Sequence, residues 1–237
     1  MKPYYETELG KLYHGDCLEI LPQLTEKVDI VITSPPYNLG NNHHTGSFRH
    51  TPYADDLPEE EYQKNQVLLM EKIYQTLTPN GSFFYNHKNR IKKGVCISPL
   101  SWILKTSFIL KQEIVWVQRS QNFDKCRFYP FTESVFWLAK SINTSFYNKI
   151  NKSNVWSINP VGTKQEHTRA YPLEIPNNIL ACFPEGLTFD PFLGSGTTAV
   201  ACERLGRRWI GIEISLDYVK IAVDRIERER SQLKLNL

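Results

Sequence analysis

The run Val28 to Thr33 (VDIVIT) stops at Ser34-Pro35-Pro36-Tyr37, and this junction constrains the fold more than any other feature of the chain. A β-branched stretch without polar alternation reads as a strand buried on both faces, as parallel strands are. Two consecutive prolines cannot extend it, because they fix φ and remove two N–H donors. Further strand-like runs are Ser82 to Tyr85, Glu113 to Val117, Ser134 to Leu138 and Trp209 to Ile214. Helical spacing marks Leu57 to Leu77, Ser98 to Leu104, Thr197 to Leu205 and Leu216 to Leu233, and the first of these ends at Pro79-Asn80-Gly81. Strands alternating with helices predict an α/β sheet covered on both faces.

The 237 residues suffice for one domain with an insertion. Between about Gln118 and Arg169 the periodicity weakens, so residues 118–169 are expected to form an inserted lobe, with 1–117 and 170–237 as the main domain. Asn38 to Asp56 is too long for a plain connector and reads as a functional loop. With 28 basic and 25 acidic residues the net charge is only +3, so any nucleic-acid footprint must be local. No apolar segment follows the first basic residue and no run of 18 apolar residues occurs, which speaks against secretion or membrane spanning. Five cysteines without a close pair suit reduced thiols in a cytoplasm. His43, His44 and His50, near Asp55 and Asp56, match no metal-ligand spacing, and no metal is expected.

At the Ser-Pro-Pro-Tyr junction the backbone lacks donors and is rich in acceptors. An exocyclic amino group of a nucleobase offers two N–H donors, and Ser34 Oγ with the Pro35 carbonyl could accept them, freeing the nitrogen lone pair for an electrophile. Tyr37 would give a flipped base a surface to stack on. A capped strand end is the plainer alternative. Near the C-terminus, Asp190-Pro191-Phe192-Leu193-Gly194-Ser195-Gly196-Thr197-Thr198 places two glycines at a strand-to-helix turn, where a ligand can approach a helix N-terminus. No lysine follows the second glycine, as a nucleoside triphosphate loop would need. Glu213, at the end of the next strand, is placed to accept hydrogen bonds from ribose hydroxyls; alone, it would read as a solvent-facing carboxylate.

Together the two motifs resemble the amino-methyltransferases of DNA, with a cofactor motif D-P-F-x-G-S-G-T-T and a catalytic motif (D/N/S)-P-P-(Y/F). Their order resembles the circularly permuted β group. His14-Gly15-Asp16-Cys17 and His167-Thr168-Arg169-Ala170-Tyr171-Pro172 are also similar, and the likeness covers about three quarters of the chain. It implies a Rossmann-like S-adenosylmethionine methyltransferase sheet with a small DNA-recognition insert. Ser34, Pro35, Pro36 and Tyr37 would be catalytic. Asp16, Cys17, Asp190, Phe192, Gly194, Ser195, Gly196, Thr197, Thr198 and Glu213 would hold the cofactor, Asp16 near its adenine. No cysteine follows a proline, so the Pro-Cys nucleophile of cytosine C5 enzymes is missing and the target is an amino nitrogen. Thr-Ser-Pro-Pro-Tyr leans towards N4 of cytosine, whereas the continuation Asn38-Leu39 is also familiar from N6-adenine enzymes. RNA methylation and DNA binding without catalysis are the remaining alternatives. Double-stranded DNA is the implied partner, with a second copy of the chain and a cognate restriction endonuclease as further candidates.

Two patches could neutralise phosphates. One holds Lys88, Arg90, Lys92 and Lys93; the other holds Arg119, Lys125 and Arg127, with amide side chains between them that can read base edges. Arg49, His50 and Lys164 are weaker candidates. A solvated charged loop is the alternative for each patch.

Overall fold

The computed structural model describes residues 1–40, 55–118, 125–160 and 171–235. Among these residues eleven strands and six α-helices run in the order β1 (Tyr5–Glu6), β2 (Gly10–His14), α1 (Cys17–Ile20), β3 (Val28–Thr33), α2 (Glu59–Thr76), β4 (Leu77–His87), β5 (Arg90–Lys92), β6 (Val95–Ile97), α3 (Leu100–Ile103), β7 (Ile109–Val117), β8 (Thr132–Ala139), β9 (Val155–Ser157), α4 (Glu174–Leu180), β10 (Thr188–Asp190), α5 (Thr197–Arg204), β11 (Trp209–Glu213) and α6 (Leu216–Leu235). Nine strands form one sheet in the order β1-β2-β11-β10-β3-β4-β8-β7-β9, and β5 with β6 forms a separate hairpin. Strands β2, β11, β10, β3 and β4 are mutually parallel, and β8 is antiparallel to both its neighbours.

The expected α/β architecture follows from alternation within the strands. In β3, Val31 faces a core with α1, α2 and α3, through Ile20, Leu69, Ile73 and Trp102, and Val28, beyond the register shift between Val28 and Ile30, joins the same core. Ile30 and Ile32 face the other core, with α4, α5 and α6, through Ile179, Val200, Val219 and Ala222. Each sheet face is thus covered by three helices, and the centre of the sheet is apolar on both sides. Helix α2 begins after Pro58 with Glu59, Glu60 and Glu61 in its first turn, where carboxylates interact favourably with the helix dipole. Among the described residues, no helix is long and apolar enough to cross a membrane.

The structure departs from the sequence reading at three points. Pro79-Asn80-Gly81 does not separate a helix from a later strand; β4 already begins at Leu77, and the register shifts between the Val28–Leu77 and Ile30–Ser82 pairs, so the three residues are absorbed in a bulge. The described part of 118–169 is not a separate lobe. Its strand β8 is hydrogen-bonded between β4 and β7, and β9 extends the edge beyond β7. Val135 to Ala139 are all buried, but polar flanks dilute that short apolar run in any wider window. Finally, the short strands β1 and β2 carry too few residues, with Gly10 and Lys11 among them, to announce themselves by periodicity.

Candidate active site

The chain leaves β3 towards β4 on one side and β10 towards β11 on the other. The crevice at such a switch point, beyond the carboxyl ends of the strands, is where open α/β sheets bind ligands. It brings Ser34-Pro35-Pro36-Tyr37, which follows β3, beside the glycine turn that follows β10. The β3–β10 seam is closed by a side-chain bond: Thr33 Oγ1 donates to Asp190 Oδ1 at 2.6 Å. Asp190 also accepts from Thr198 Oγ1 at 2.6 Å, Phe192 N at 3.0 Å and Tyr171 OH at 3.3 Å. Burial pushes its carboxyl up to about 6, against the downward pull of these four bonds. Thr198 is additionally bonded to Tyr171. Asp190 and Thr198 therefore brace the turn from behind.

The turn itself needs its glycines. Gly194 and Gly196 have φ of 54° and 87°, a region that side chains avoid. A Cβ on Gly196 would also sit 3.0 Å from the Ala222 side chain of α6. A Cβ on Gly194 would meet only the Phe192 carbonyl, at 3.9 Å, so that glycine faces open space. Arg225 of α6 donates to the Ser195 carbonyl at 2.7 Å and to Ser195 Oγ at 2.6 Å, and Ser195 and Thr197 are buried. Glu213, at the end of β11, accepts from Gly194 N and Ser215 N, both at 2.8 Å. Burial raises its carboxyl above the ordinary range. The pairing of Glu213 with His14 brings Gly15 and Asp16 alongside. Asp16 caps α1 through a 2.7 Å bond from Leu18 N. Cys17 lies in the core, and burial pushes its thiol up to about 12; its side chain is a packing element. Phe192 is half-buried against the same core.

Past β3, Ser34 Oγ lies 2.9 Å from Tyr37 OH. The Tyr37 hydroxyl also lies 2.9 Å from Asn86 Oδ1 and 3.0 Å from Glu133 Oε2. Its ring is 4.4 Å from His87, tilted by 33°, with Lys88 Nζ 5.6 Å from the ring centre. His87 is fully buried, which pushes it down to about 3 and keeps it neutral. Tyr62 OH lies 2.8 Å from both the Pro36 carbonyl and His87 Nε2, so α2 clamps the second proline. Downstream, Asn38 N donates to Asp55 Oδ1 and Gly40 N to the Asp55 carbonyl, both at 2.7 Å, which ties together the two ends of the long loop.

The first basic patch is divided by depth: Arg90 and Lys92 share one face of β5, and Lys92 Nζ lies 3.7 Å from the same Glu59, but only Arg90 is buried. Arg90 points inwards, 4% exposed, and grips Glu59 with two bonds of 2.7 and 2.8 Å. It also lies 4.6 Å from the Tyr62 ring centre. Arg90 is therefore held in a buried ion pair, turned away from the surface where a phosphate is expected. Lys92 and Lys93 are exposed; Lys93 and Gly94, with φ of 50° and 81°, make the tight turn of the β5–β6 hairpin. Lys125 and Arg127 are exposed on the segment entering β8, beside exposed Phe128 and Tyr129. Because His87 pairs with Ser134, that segment emerges at the same end of the sheet as Tyr37. Arg119, His43, His44, Arg49, His50, Lys164 and residues 167–170 lie outside the described residues. Among the described residues no group of three potential metal ligands occurs. Sequence reasoning missed Arg225, Asn86, Tyr62 and Glu133, because each acts through another residue and stands in no motif.

A family model described as DNA methylase matches residues 28–224, from the catalytic strand through the glycine turn and into α6. The chain belongs to the N6/N4 DNA methylase family. This methylase is 31% identical to the type II methyltransferase M.ScaI of Streptomyces caespitosus, over 98% of this chain and 86% of that one. It is 26% identical to M.BglII of Bacillus subtilis, over 93% and 70%. Among solved structures, the cytosine-N4-specific PvuII DNA methyltransferase superposes with a TM-score of 0.78 at 24% identity, covering 94% of the methylase and 88% of that chain. The M1.HpyAVI–SAM complex gives 0.67 at 23% identity, covering 92% and 99%. These likenesses show a common methyltransferase fold.

Proposed function

We propose that this methylase transfers a methyl group from S-adenosylmethionine to the exocyclic amino group of a base flipped out of duplex DNA, with N4 of cytosine as the target. The observation that carries the reading is the juxtaposition at the β3–β10 seam of an acceptor-rich Ser-Pro-Pro-Tyr corner and a glycine turn opening onto the same crevice. The crevice residues fit the cofactor: Gly194 leaves a cradle that a Cβ would fill, and the Glu213 oxygens, each holding one backbone N–H, keep further lone pairs for hydroxyl donors. When bound, the cofactor supplies an already activated methyl group. The chain's own part is to position the amino nitrogen and to accept its hydrogens through Ser34 Oγ and the Pro35 carbonyl; the Pro36 carbonyl is taken by Tyr62.

Lys88, Lys92, Lys93, Lys125 and Arg127, at the same end of the sheet, would hold phosphates on either side of the crevice, and Phe128 is exposed enough to fill the gap a flipped base leaves. The cytosine-N4 specificity of the PvuII enzyme supports cytosine. N6 of adenine is the second reading, favoured by Asn38-Leu39 after Tyr37. The type II relatives suggest a cognate restriction endonuclease as partner. The cofactor site is tested by calorimetry with Glu213→Ala, expected to weaken S-adenosylmethionine binding by about 1.5–3 kcal/mol through loss of a charged acceptor. Unchanged affinity would remove Glu213 from the site.

A further inference from the structure

We infer that Glu133, on β8 and outside both motifs, fixes the direction of the hydrogen-bond chain that makes Ser34 an acceptor, and takes up the proton that the target amino group loses. This rests on the amino-methylation reading above. The Tyr37 hydroxyl has three neighbours, Ser34 Oγ, Asn86 Oδ1 and Glu133 Oε2, at 2.9, 2.9 and 3.0 Å, and one hydrogen to give. Asn86 Nδ2 donates to the Ser134 carbonyl at 3.2 Å, which turns Oδ1 towards Tyr37. Glu133 Oε1 is held by Gln118 Nε2 at 3.0 Å, which turns Oε2 towards Tyr37. Two of the three neighbours thus can only accept, and the ionised one draws the phenolic hydrogen most strongly. The hydrogen between Ser34 and Tyr37 must then come from Ser34. With its own hydrogen committed to Tyr37, Ser34 Oγ turns lone pairs to the crevice, as an amino substrate requires. His87 touches the Tyr37 ring, but its nitrogens face Tyr62 OH and the Lys88 carbonyl, so it stands off the chain. Burial and the charge of Glu133 hold the Tyr37 phenol well above its ordinary value, so Tyr37 keeps a proton at rest.

The same three atoms give the departing proton a route. As the amino nitrogen bonds to the methyl carbon, the carbon–sulfur bond breaks and its electron pair stays on sulfur. The nitrogen then carries a proton it must lose. That proton passes to Ser34 Oγ while the Ser34 hydrogen moves to Tyr37 O and the Tyr37 hydrogen to Glu133 Oε2. The products are a neutral methylated amine, a neutral thioether and a protonated Glu133, which is half-exposed and returns the proton to water. Glu133 acts through Tyr37 and Ser34 and is therefore a positioning residue.

The test is a double-mutant cycle on single-turnover methyl transfer to a duplex substrate, using Ser34→Ala, Glu133→Gln and the pair, with DNA and cofactor affinities measured beside the rates. Glu133→Gln should slow transfer by about tenfold or more while changing either affinity by less than about twofold. The double variant should be no slower than Ser34→Ala alone, because the chain is already cut. Tyr37→Phe keeps the ring and removes the link, so it should match Glu133→Gln whatever the folding of the other variants. A wild-type rate in Glu133→Gln or Tyr37→Phe beside a slow Ser34→Ala would overturn the inference and leave the methylation reading standing, and so would losses that multiply in the double variant. A wild-type rate in Ser34→Ala would overturn both.

Discussion

Thr33→Val cuts the seam between the two motifs with the least collateral change. Valine keeps the shape of threonine and suits a strand, at a position 1% exposed, but it has no hydroxyl to give Asp190. A hydrogen bond to an ionised group contributes about 1.5–3 kcal/mol, so a loss near 2 kcal/mol is expected where Asp190 is charged. The pH dependence follows from the carboxyl. Burial raises it to about 6, and the Thr33 bond is among those that pull it down, so the variant's Asp190 should titrate higher still. A carboxyl raised on folding supports the fold fully below its unfolded pKa, near 4, and that support is lost as pH rises through the folded value. The variant loses more over the same rise. Urea unfolding at pH 8 and pH 5 should therefore show the larger deficit at pH 8, shrinking towards pH 5 as Asp190 takes up a proton. A deficit below about 0.5 kcal/mol, or one equal at both pH values, would refute an ionised Asp190 bonded to Thr33.

The two halves of the first basic patch should separate cleanly. Arg90→Gln removes both guanidinium bonds from Glu59, which keeps only Gln63 and the longer Lys92 contact, and should cost about 1.5–3 kcal/mol in chemical unfolding, while the salt dependence of DNA binding stays as in wild type. Neutralising Lys92 and Lys93 together should leave stability within about 0.5 kcal/mol. It should also flatten the log–log salt dependence of DNA binding by about 0.9 for each phosphate that is no longer neutralised. An unchanged slope would make the hairpin a solvated face.

The elements legible in the sequence are those that one-dimensional pattern governs directly. The β-branched run of β3, the apolar period of α2, the glycine turn and the strand ending in Glu213 all report their own surroundings. The seam does not, because Thr33 and Asp190 are far apart in the chain and meet only when β3 and β10 pair. Arg90 is hidden for a related reason. In a charged run, nothing local tells which cation will be buried, and the answer lies with Glu59, Tyr62 and Trp102. Glu133 sits at the start of an apolar run and looks like an ordinary strand-end carboxylate; only the register of β8 against β4 brings it to Tyr37. Cys17 stands in a motif with Asp16, and its own side chain packs into the core.

Amino-methylation of a DNA base is read out at once in the product nucleoside. Duplex DNA incubated with the enzyme and methyl-labelled S-adenosylmethionine, digested to nucleosides and resolved by mass, should carry its label on N4-methyldeoxycytidine, and the label should be greatly reduced with Ser34→Ala. Label on N6-methyldeoxyadenosine would keep the chemistry and change the base. Label on 5-methyldeoxycytidine, or none on any nucleoside, would rule out amino-methylation of DNA by this enzyme.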